Sequence, residues 1–231
     1  MSDKPLKVYP GSWPTTVVCG ASGTGRTRFA YALAARYNGH VIDTGDVLEA
    51  VRAMAGPGQH RELFYRDAED WSDFPAAEGH GPRPQQPLTG TAEELAAARL
   101  RAADVLAPAV HAVMMKQPRL CLDGAEYPHT VVTGRHALPT LAWDFAVILT
   151  ETKEQILANL AARYRNDVSI GLRAQTSMLV QQELLQRGAE HNKAHCQVIF
   201  AGARPWSDAV ERVYWEMSDW WDYRTALGGP W

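Results

Sequence analysis

Three features are scarce in this chain of 231 residues: cysteines, long apolar runs and an excess of charge of one sign. The three cysteines, Cys19, Cys121 and Cys196, lie far apart and form no C-x-x-C pair, which disfavours a disulfide framework or a zinc site. No run approaches the roughly 20 apolar residues that a membrane span requires. A net charge of −3 gives no electrostatic reason to expect a nucleic-acid partner.

The remaining composition is that of a globular protein. With 46% hydrophobic residues, the chain suits one domain spanning 1–231, with an insertion. Its polar start, Met1 to Pro10, lacks the apolar core of a secretory signal. We therefore expect a soluble, cytoplasmic protein.

The most informative stretch is a glycine-rich turn between a strand pattern and a helix pattern. Residues 15–19 are β-branched and apolar, and residues 28–37 have helical apolar spacing. The turn follows the P-loop spacing, G-x-x-x-x-G-[K]-T, with Arg26 where lysine is usual. Arginine keeps the charge and can contact two phosphate oxygens at once. The predicted phosphate ligands are Gly20, Ala21, Ser22, Gly23, Thr24, Gly25, Arg26 and Thr27, and the Thr27 hydroxyl is placed to bind Mg²⁺.

Two other interpretations of this turn stay open. The same glycines could form a dinucleotide-binding turn, because Asp43 follows about 20 residues later, where such folds place a ribose-binding acid. Against this, the spacing is not G-x-G-x-x-G, and Thr27 has no role there. The turn could also be an ordinary strand-to-helix connection without a ligand.

Acidic residues end two of the other predicted strands. Residues 40–43 read as a strand ending in Asp43, with Asp46 predicted to cap a helix over 47–55. Residues 119–122 read as an apolar strand ending in Asp123, the Walker B arrangement, in which the carboxylate holds Mg²⁺. With further strands at 145–149 and 196–200, the pattern predicts an α/β fold: a three-layer sandwich of the P-loop NTPase type around a mostly parallel five-stranded sheet.

Three further segments lie outside this frame. Residues 56–90, rich in proline and aromatics, predict an irregular insertion. Residues 163–192 predict a helical lid whose arginines, Arg163, Arg165 and Arg173, could neutralise a transferring phosphoryl group. Five tryptophans crowd the C-terminus, which suggests packing onto the body or a homodimer interface.

These motifs together resemble the P-loop small-molecule kinases, and most closely the 2-phosphoglycerate kinase-like group. The resemblance covers about 15–213 and rests on the P-loop, on 41–44 leading into a helix with Glu49 and Arg52, on 122–124, and on 182–185 before 198–199. It implies transfer of the γ-phosphoryl group of ATP, with Mg²⁺, to a hydroxyl of a small molecule. For this chain the resemblance implies that Asp43 accepts the hydroxyl proton and that the loop containing Arg204 lies against adenine.

A different class of function stays open beside this one. A lysine places a compact point charge on the phosphoryl group, whereas a guanidinium is a rigid fork, so nucleotide binding could survive while transfer fails. The chain would then be a nucleotide-binding regulatory protein with an impaired P-loop. A dinucleotide-binding oxidoreductase is the third alternative.

Overall fold

The structure, a computed structural model, describes residues 15–36, 39–55, 59–64, 90–115, 130–139, 145–164, 168–191, 196–200 and 206–226. Five strands form one sheet: β1 (Thr16–Gly20), β2 (His40–Asp43), β3 (Thr130–Thr133), β4 (Phe145–Thr150) and β5 (Cys196–Phe200). Their order is β2-β3-β1-β4-β5, and every adjacent pair is parallel. All carboxyl ends therefore lie at one edge, where parallel sheets place their ligands.

Six α-helices connect or flank the described strands: α1 (Arg26–Arg36), α2 (Thr44–Met54), α3 (Ala92–Met115), α4 (Lys153–Arg163), α5 (Ile170–His191) and α6 (Trp206–Ala226). A short 3-10 helix, Arg61–Phe64, follows α2. None of the described helices is long and apolar enough to cross a membrane.

The helices cover both faces of the sheet, because alternate residues of each strand point to opposite faces. On one face Val18, Val147 and Leu149 pack against α1 and α6. On the other, Val17, Cys19 and Ile148 pack against α2, α3 and α5. The result is the predicted α/β sandwich of helix, sheet and helix.

The prediction of which strand lies beside β1 is wrong. The Walker B prediction requires the strand at 119–122 to lie beside β1, but β3 and β4 pair with β1 on its two sides. β3 was not predicted, because four residues between a proline-containing segment and Gly134 form a very short pattern. Asp123 itself lies outside the described residues.

The start of α2 also differs from the prediction. The helix begins at Thr44, and Asp43 is its N-cap, with extended backbone and Oδ1 accepting from the Gly45 N–H at 2.7 Å. The prediction that Asp46 caps this helix is therefore wrong. An N-cap carboxylate satisfies a backbone donor that the first helical turn leaves unpaired, and Asp43 already does so.

Most of the predicted lid is a packed helix. Val180 and Leu184 of α5 are 2% exposed and belong to the main core. The side chain of Gln181 bonds both backbone groups of Glu151, just after β4, at 2.8 and 3.1 Å. These contacts hold α5 against the sheet, so residues 170–191 pack as a layer of the domain, and a lid function for this segment stays a prediction.

Of the predicted insertion, 59–64 is described, and Leu63, 1% exposed, packs into the core beside α2 and α3. In the tryptophan-rich C-terminus, Trp206 lies 5.6 Å from the Phe29 ring centre, and Trp215 packs edge-on against Tyr214 at 5.1 Å. These two tryptophans contact their own chain. Trp231 lies outside the described residues, and the homodimer stays a prediction.

Candidate functional site

The turn between β1 and α1 has the shape of a phosphate-binding loop. Gly23 and Gly25 have φ angles of +86° and +78°, which residues with a Cβ rarely adopt. The Thr24 hydroxyl and N–H both donate to the Ala21 carbonyl, at 2.9 and 3.3 Å, and close the turn. The first turn of α1 then leaves its backbone N–H groups facing the loop, the usual setting for a bound anion.

A cavity of about 360 Å³ opens at this loop. The described residues that line it include three arginines and no acid: Ala21, Ser22, Gly23, Gly25, Arg26, Thr27, Arg28, Asn159, Leu160, Arg163 and Trp206. A cationic cavity with backbone donors at a helix N-terminus suits a polyanion such as a nucleotide phosphate chain.

Asn159, which the sequence did not single out, and Trp206, one of the C-terminal tryptophans expected to pack onto the body, hold the loop in place. Asn159 of α4 donates from Nδ2 to the Gly23 carbonyl at 2.6 Å. On the other side the ring of Trp206 lies against Gly25, and a Cβ at that glycine would be 2.8 Å from Cζ2. The loop is therefore clamped between the side chains of α4 and of α6. No local sequence signal identifies these residues, because both contacts join distant parts of the chain.

Arg26 adopts an orientation that the motif did not predict. Its Nη1 donates to the Gly20 carbonyl at 3.0 Å, so the guanidinium lies across the loop that it belongs to. The bond braces the loop between its first glycine and the start of α1. A phosphate contact from this side chain would use its remaining donors or require it to give up the bond.

Thr27 is the one predicted metal ligand among the described residues. It is exposed and lines the cavity. A hydroxyl in this position fits one place in a Mg²⁺ shell otherwise filled by phosphate oxygens and water. The described residues contain no group of three His, Cys, Asp or Glu side chains that could bind a metal by themselves.

Asp43 lies at the same sheet edge, two strands from β1. The register places Asp43 opposite Thr133 of β3, and Thr133 opposite Val18 of β1. At about 4.8 Å between neighbouring strands, Asp43 is roughly 10 Å from the β1 backbone, which leaves room for a small molecule. Gly45 occupies Oδ1, and no described residue bonds Oδ2.

The loop after β3 approaches Asp43 closely. Gly134 has a φ of +120°, and a Cβ there would lie 2.7 Å from Asp43 Oδ1 and against the Thr44 hydroxyl. Two residues on, the His136 N–H donates to Thr44 Oγ1 at 3.1 Å. The imidazole is 7% exposed, and its Nδ1 bonds no described residue.

Burial, together with four guanidinium groups, holds the pKa of His136 well below its usual value. Desolvation disfavours the charged imidazolium, and nearby positive charge disfavours it further. The guanidinium groups are those of Arg135, Arg99, Arg26 and Arg52, in decreasing order of effect. His136 is therefore neutral at pH 7.

Arg99 of α3 connects the loop after β3 with the phosphate loop and was also missed by the sequence analysis. The residue is 6% exposed. Its Nη1 donates to Ser22 Oγ at 3.2 Å, while Nε and Nη2 donate to the Arg135 carbonyl at 3.4 Å. The helical pattern of α3 alone assigns Arg99 no functional role.

The other predicted arginines separate into three groups. Arg163 lines the cavity and stacks on the Tyr164 ring at 5.3 Å. Arg173 is 3% exposed and lies over the same ring at 4.9 Å, and that ring, Tyr164, packs in a small cluster with Ile156 and Leu160. Arg173 does not line the cavity, because its own helix packs against the body. Arg165 and Arg204 lie outside the described residues.

Comparison with known proteins gives similarity of fold only. No family model matches the chain, and no curated protein matches it. Among solved structures, shikimate kinase from Acinetobacter baumannii, in complex with shikimate, is 11% identical over 90% of this chain and 95% of its own, with a TM-score of 0.49. Shikimate kinase from Bacteroides thetaiotaomicron is 13% identical over 89% and 98%, with a TM-score of 0.49.

A gluconokinase from Sinorhizobium meliloti 1021 is 15% identical over 96% of this chain and 99% of its own, with a TM-score of 0.44. These neighbours are small-molecule kinases by name, and none of the three is a 2-phosphoglycerate kinase. At such identities and TM-scores the likeness assigns neither a reaction nor a substrate to this chain.

Proposed function

We propose that this protein is a kinase that uses ATP and Mg²⁺ to phosphorylate a hydroxyl of a small molecule. One observation supports this most strongly: a cationic cavity at a phosphate-binding loop shares a sheet edge with Asp43, about two strand spacings away. A phosphoryl donor and an acceptor can occupy these two places at once.

The donor side depends on backbone groups and positive charge. The N–H groups from Gly20 to Thr27 would hold the ATP phosphates, and Arg163 would add charge from the cavity wall. Phosphoryl transfer needs little covalent chemistry from the protein, so positioning and charge stabilisation account for most of the rate. Bound Mg²⁺ would neutralise phosphate charge, with Thr27 as its protein ligand.

On the acceptor side, Asp43 would accept the proton of the attacking hydroxyl. The acceptor oxygen forms the new bond to the γ-phosphorus, the bond from that phosphorus to the bridging oxygen of ADP breaks, and ADP leaves with the electron pair. Since Oδ1 accepts from Gly45, the carboxylate has a fixed orientation, and Oδ2 is the oxygen we assign to the acceptor. Fixed orientation of a base is a condition for efficient proton transfer.

The test begins with calorimetry of ATP binding with and without Mg²⁺, followed by ADP release across a panel of hydroxyl compounds. Asp43→Asn should keep the helix cap and the fold, because asparagine caps helices well, yet reduce turnover by about a hundredfold or more. Asp46→Asn, an exposed acid three residues away, is the matched control and should leave turnover within about twofold. Equal activity of the two variants would refute the assignment of Asp43.

A second candidate, a nucleotide-binding regulatory protein, is favoured by the Arg26 bond to Gly20. If Arg26 serves only as a loop brace, nucleotide would bind without transfer. ATP binding combined with no turnover on any acceptor would support this candidate.

The dinucleotide alternative fits the strand order poorly. A Rossmann sheet places the second strand beside the first, whereas here β3 lies between them and Asp43 is one strand too far to meet a ribose. Tight binding of a nicotinamide dinucleotide without ATP binding would nevertheless refute the kinase proposal.

A further inference from the structure

Burying an arginine raises the free energy of the folded protein unless each guanidinium nitrogen has a well-placed acceptor. The acceptors of Arg99 belong to two different loops. Its Nη1 bonds Ser22 of the phosphate loop, and its Nε and Nη2 bond the backbone carbonyl of Arg135, after β3. Both loops follow neighbouring strands, β1 and β3. The rigid guanidinium thus connects two loops that are far apart along the chain.

The second loop continues the path to Asp43. The residue after Arg135 is His136, whose N–H bonds the Thr44 hydroxyl, and Thr44 is 0% exposed. Thr44 is the first residue of α2 and directly follows the N-cap Asp43. Gly134 lets the two segments meet, because a Cβ at its position would collide with Thr44 and Asp43.

We propose that Arg99 is a positioning residue that sets the distance between the phosphate loop and the start of α2, and so between the ATP phosphates and Asp43. This inference rests on the proposed function. The path runs from Ser22 through Arg99 and the loop after β3 to Thr44, and every contact is a hydrogen bond of 3.1–3.4 Å. Ordering of the phosphate loop by a nucleotide is therefore transmitted to α2.

Amide hydrogen exchange of residues 45–48 tests this transmission without knowledge of the acceptor. The probe is Mg²⁺ with the non-hydrolysable ATP analogue AMP-PNP, and its binding is first measured by calorimetry. In the parent chain, saturating AMP-PNP should slow exchange in 45–48 by about fivefold or more, the lower end of typical coupling between sites. Absence of any binding would contradict the proposed function, whereas binding without slowing in 45–48 would contradict this inference alone.

The variant Arg99→Met should bind AMP-PNP and lose the slowing in 45–48. Arg187→Met is the matched control, because Arg187 of α5 also contacts α3, through Asp104 at 2.6 Å, and its bonds go to Asp104 and Glu183, which belong to neither loop. This control removes a partly exposed ion pair between α5 and α3 and should keep the slowing. If Arg99→Met keeps it too, Arg99 is only a packing residue and the inference is wrong.

If Arg99→Met fails to fold, two further variants test whether Arg99 positions the two loops. Arg99→Lys keeps the charge but cannot bond Ser22 and the Arg135 carbonyl with a planar fork. Thr44→Val keeps the volume and removes the acceptor of the His136 N–H at the other end of the path. Loss of the slowing in both variants, with AMP-PNP binding retained, supports the inference, and its retention in both overturns it.

Discussion

Replacing Arg26 with alanine should separate the two roles that its position allows. The brace to Gly20 is one charge-assisted hydrogen bond at 3.0 Å on a half-buried side chain. A net contribution of about 1 kcal/mol is reasonable for it once solvent screening is allowed for. If the guanidinium also stabilises charge on the transferring phosphoryl group, its loss costs on the order of 3 kcal/mol in the transition state. That corresponds to roughly a hundredfold in rate.

Urea unfolding and turnover at saturating ATP measure the two effects on the same protein. We expect Arg26→Ala to lower the unfolding free energy by about 1 kcal/mol and turnover by about a hundredfold. Turnover is ADP release with the best acceptor of the panel, or ATP hydrolysis by water if none is active. Arg26→Lys should lose less than about tenfold, since the charge stays.

Unchanged turnover in Arg26→Ala would show that Arg26 is a loop brace and not a phosphate ligand. Faster turnover in Arg26→Lys than in the parent would show instead that the arginine impairs transfer, as the regulatory alternative requires.

Three other perturbations follow from the same geometry. Gly25→Ala should lower the unfolding free energy, measured with urea, by about 1–3 kcal/mol, because Gly25 has a φ of +78° and a Cβ there would meet Trp206. Adding Trp206→Ala should recover only part of this loss. Full recovery would mean that the φ angle is unimportant. Asn159→Ala should weaken Mg·ATP binding about fivefold by calorimetry, since the Gly23 carbonyl loses its donor; unchanged affinity would contradict the clamp.

The third of these is a pH dependence. Because the pKa of His136 is lowered in the folded chain, below about pH 6.5 the unfolded chain binds a proton that the folded chain does not. The unfolding free energy should therefore fall as pH decreases, by up to about 1.4 kcal/mol per pH unit. His136→Gln should flatten urea-unfolding stability between pH 6.5 and 5, and an unchanged slope would refute this assignment.

Features that depend on a few consecutive residues were predictable from the sequence. Two helix caps follow the local rule that a threonine three residues before a glutamate or glutamine starts a helix: Thr91 Oγ1 accepts from the Glu94 N–H, and Thr152 Oγ1 from the Gln155 N–H, both at 3.2 Å. The phosphate loop lies between strand and helix as predicted. In each case the partners are within a few residues, so backbone geometry and side-chain type are enough.

Competition between similar local signals caused the errors near Asp43. Both Asp43 and Asp46 could cap a helix, and only the place where β2 ends, set by its pairing with β3, decided for Asp43. Proline usually breaks a helix, but α3 continues through Pro108, with Leu106 and Val110 buried on either side. Here core packing outweighs the local penalty of proline.

The amino-acid pattern alone determined the α/β class, the parallel sheet and the loop from Gly20 to Thr27, because periodicity and glycine spacing are local and strong. Only the tertiary structure decided which strand lies beside β1, which arginine reaches the cavity, and which side chains hold the loop. Arg99 and Ser22 are 77 residues apart, and Asn159 and Gly23 are 136 apart. No local rule predicts such pairs, since their contact exists only after the sheet has ordered its strands and brought the loops to one edge.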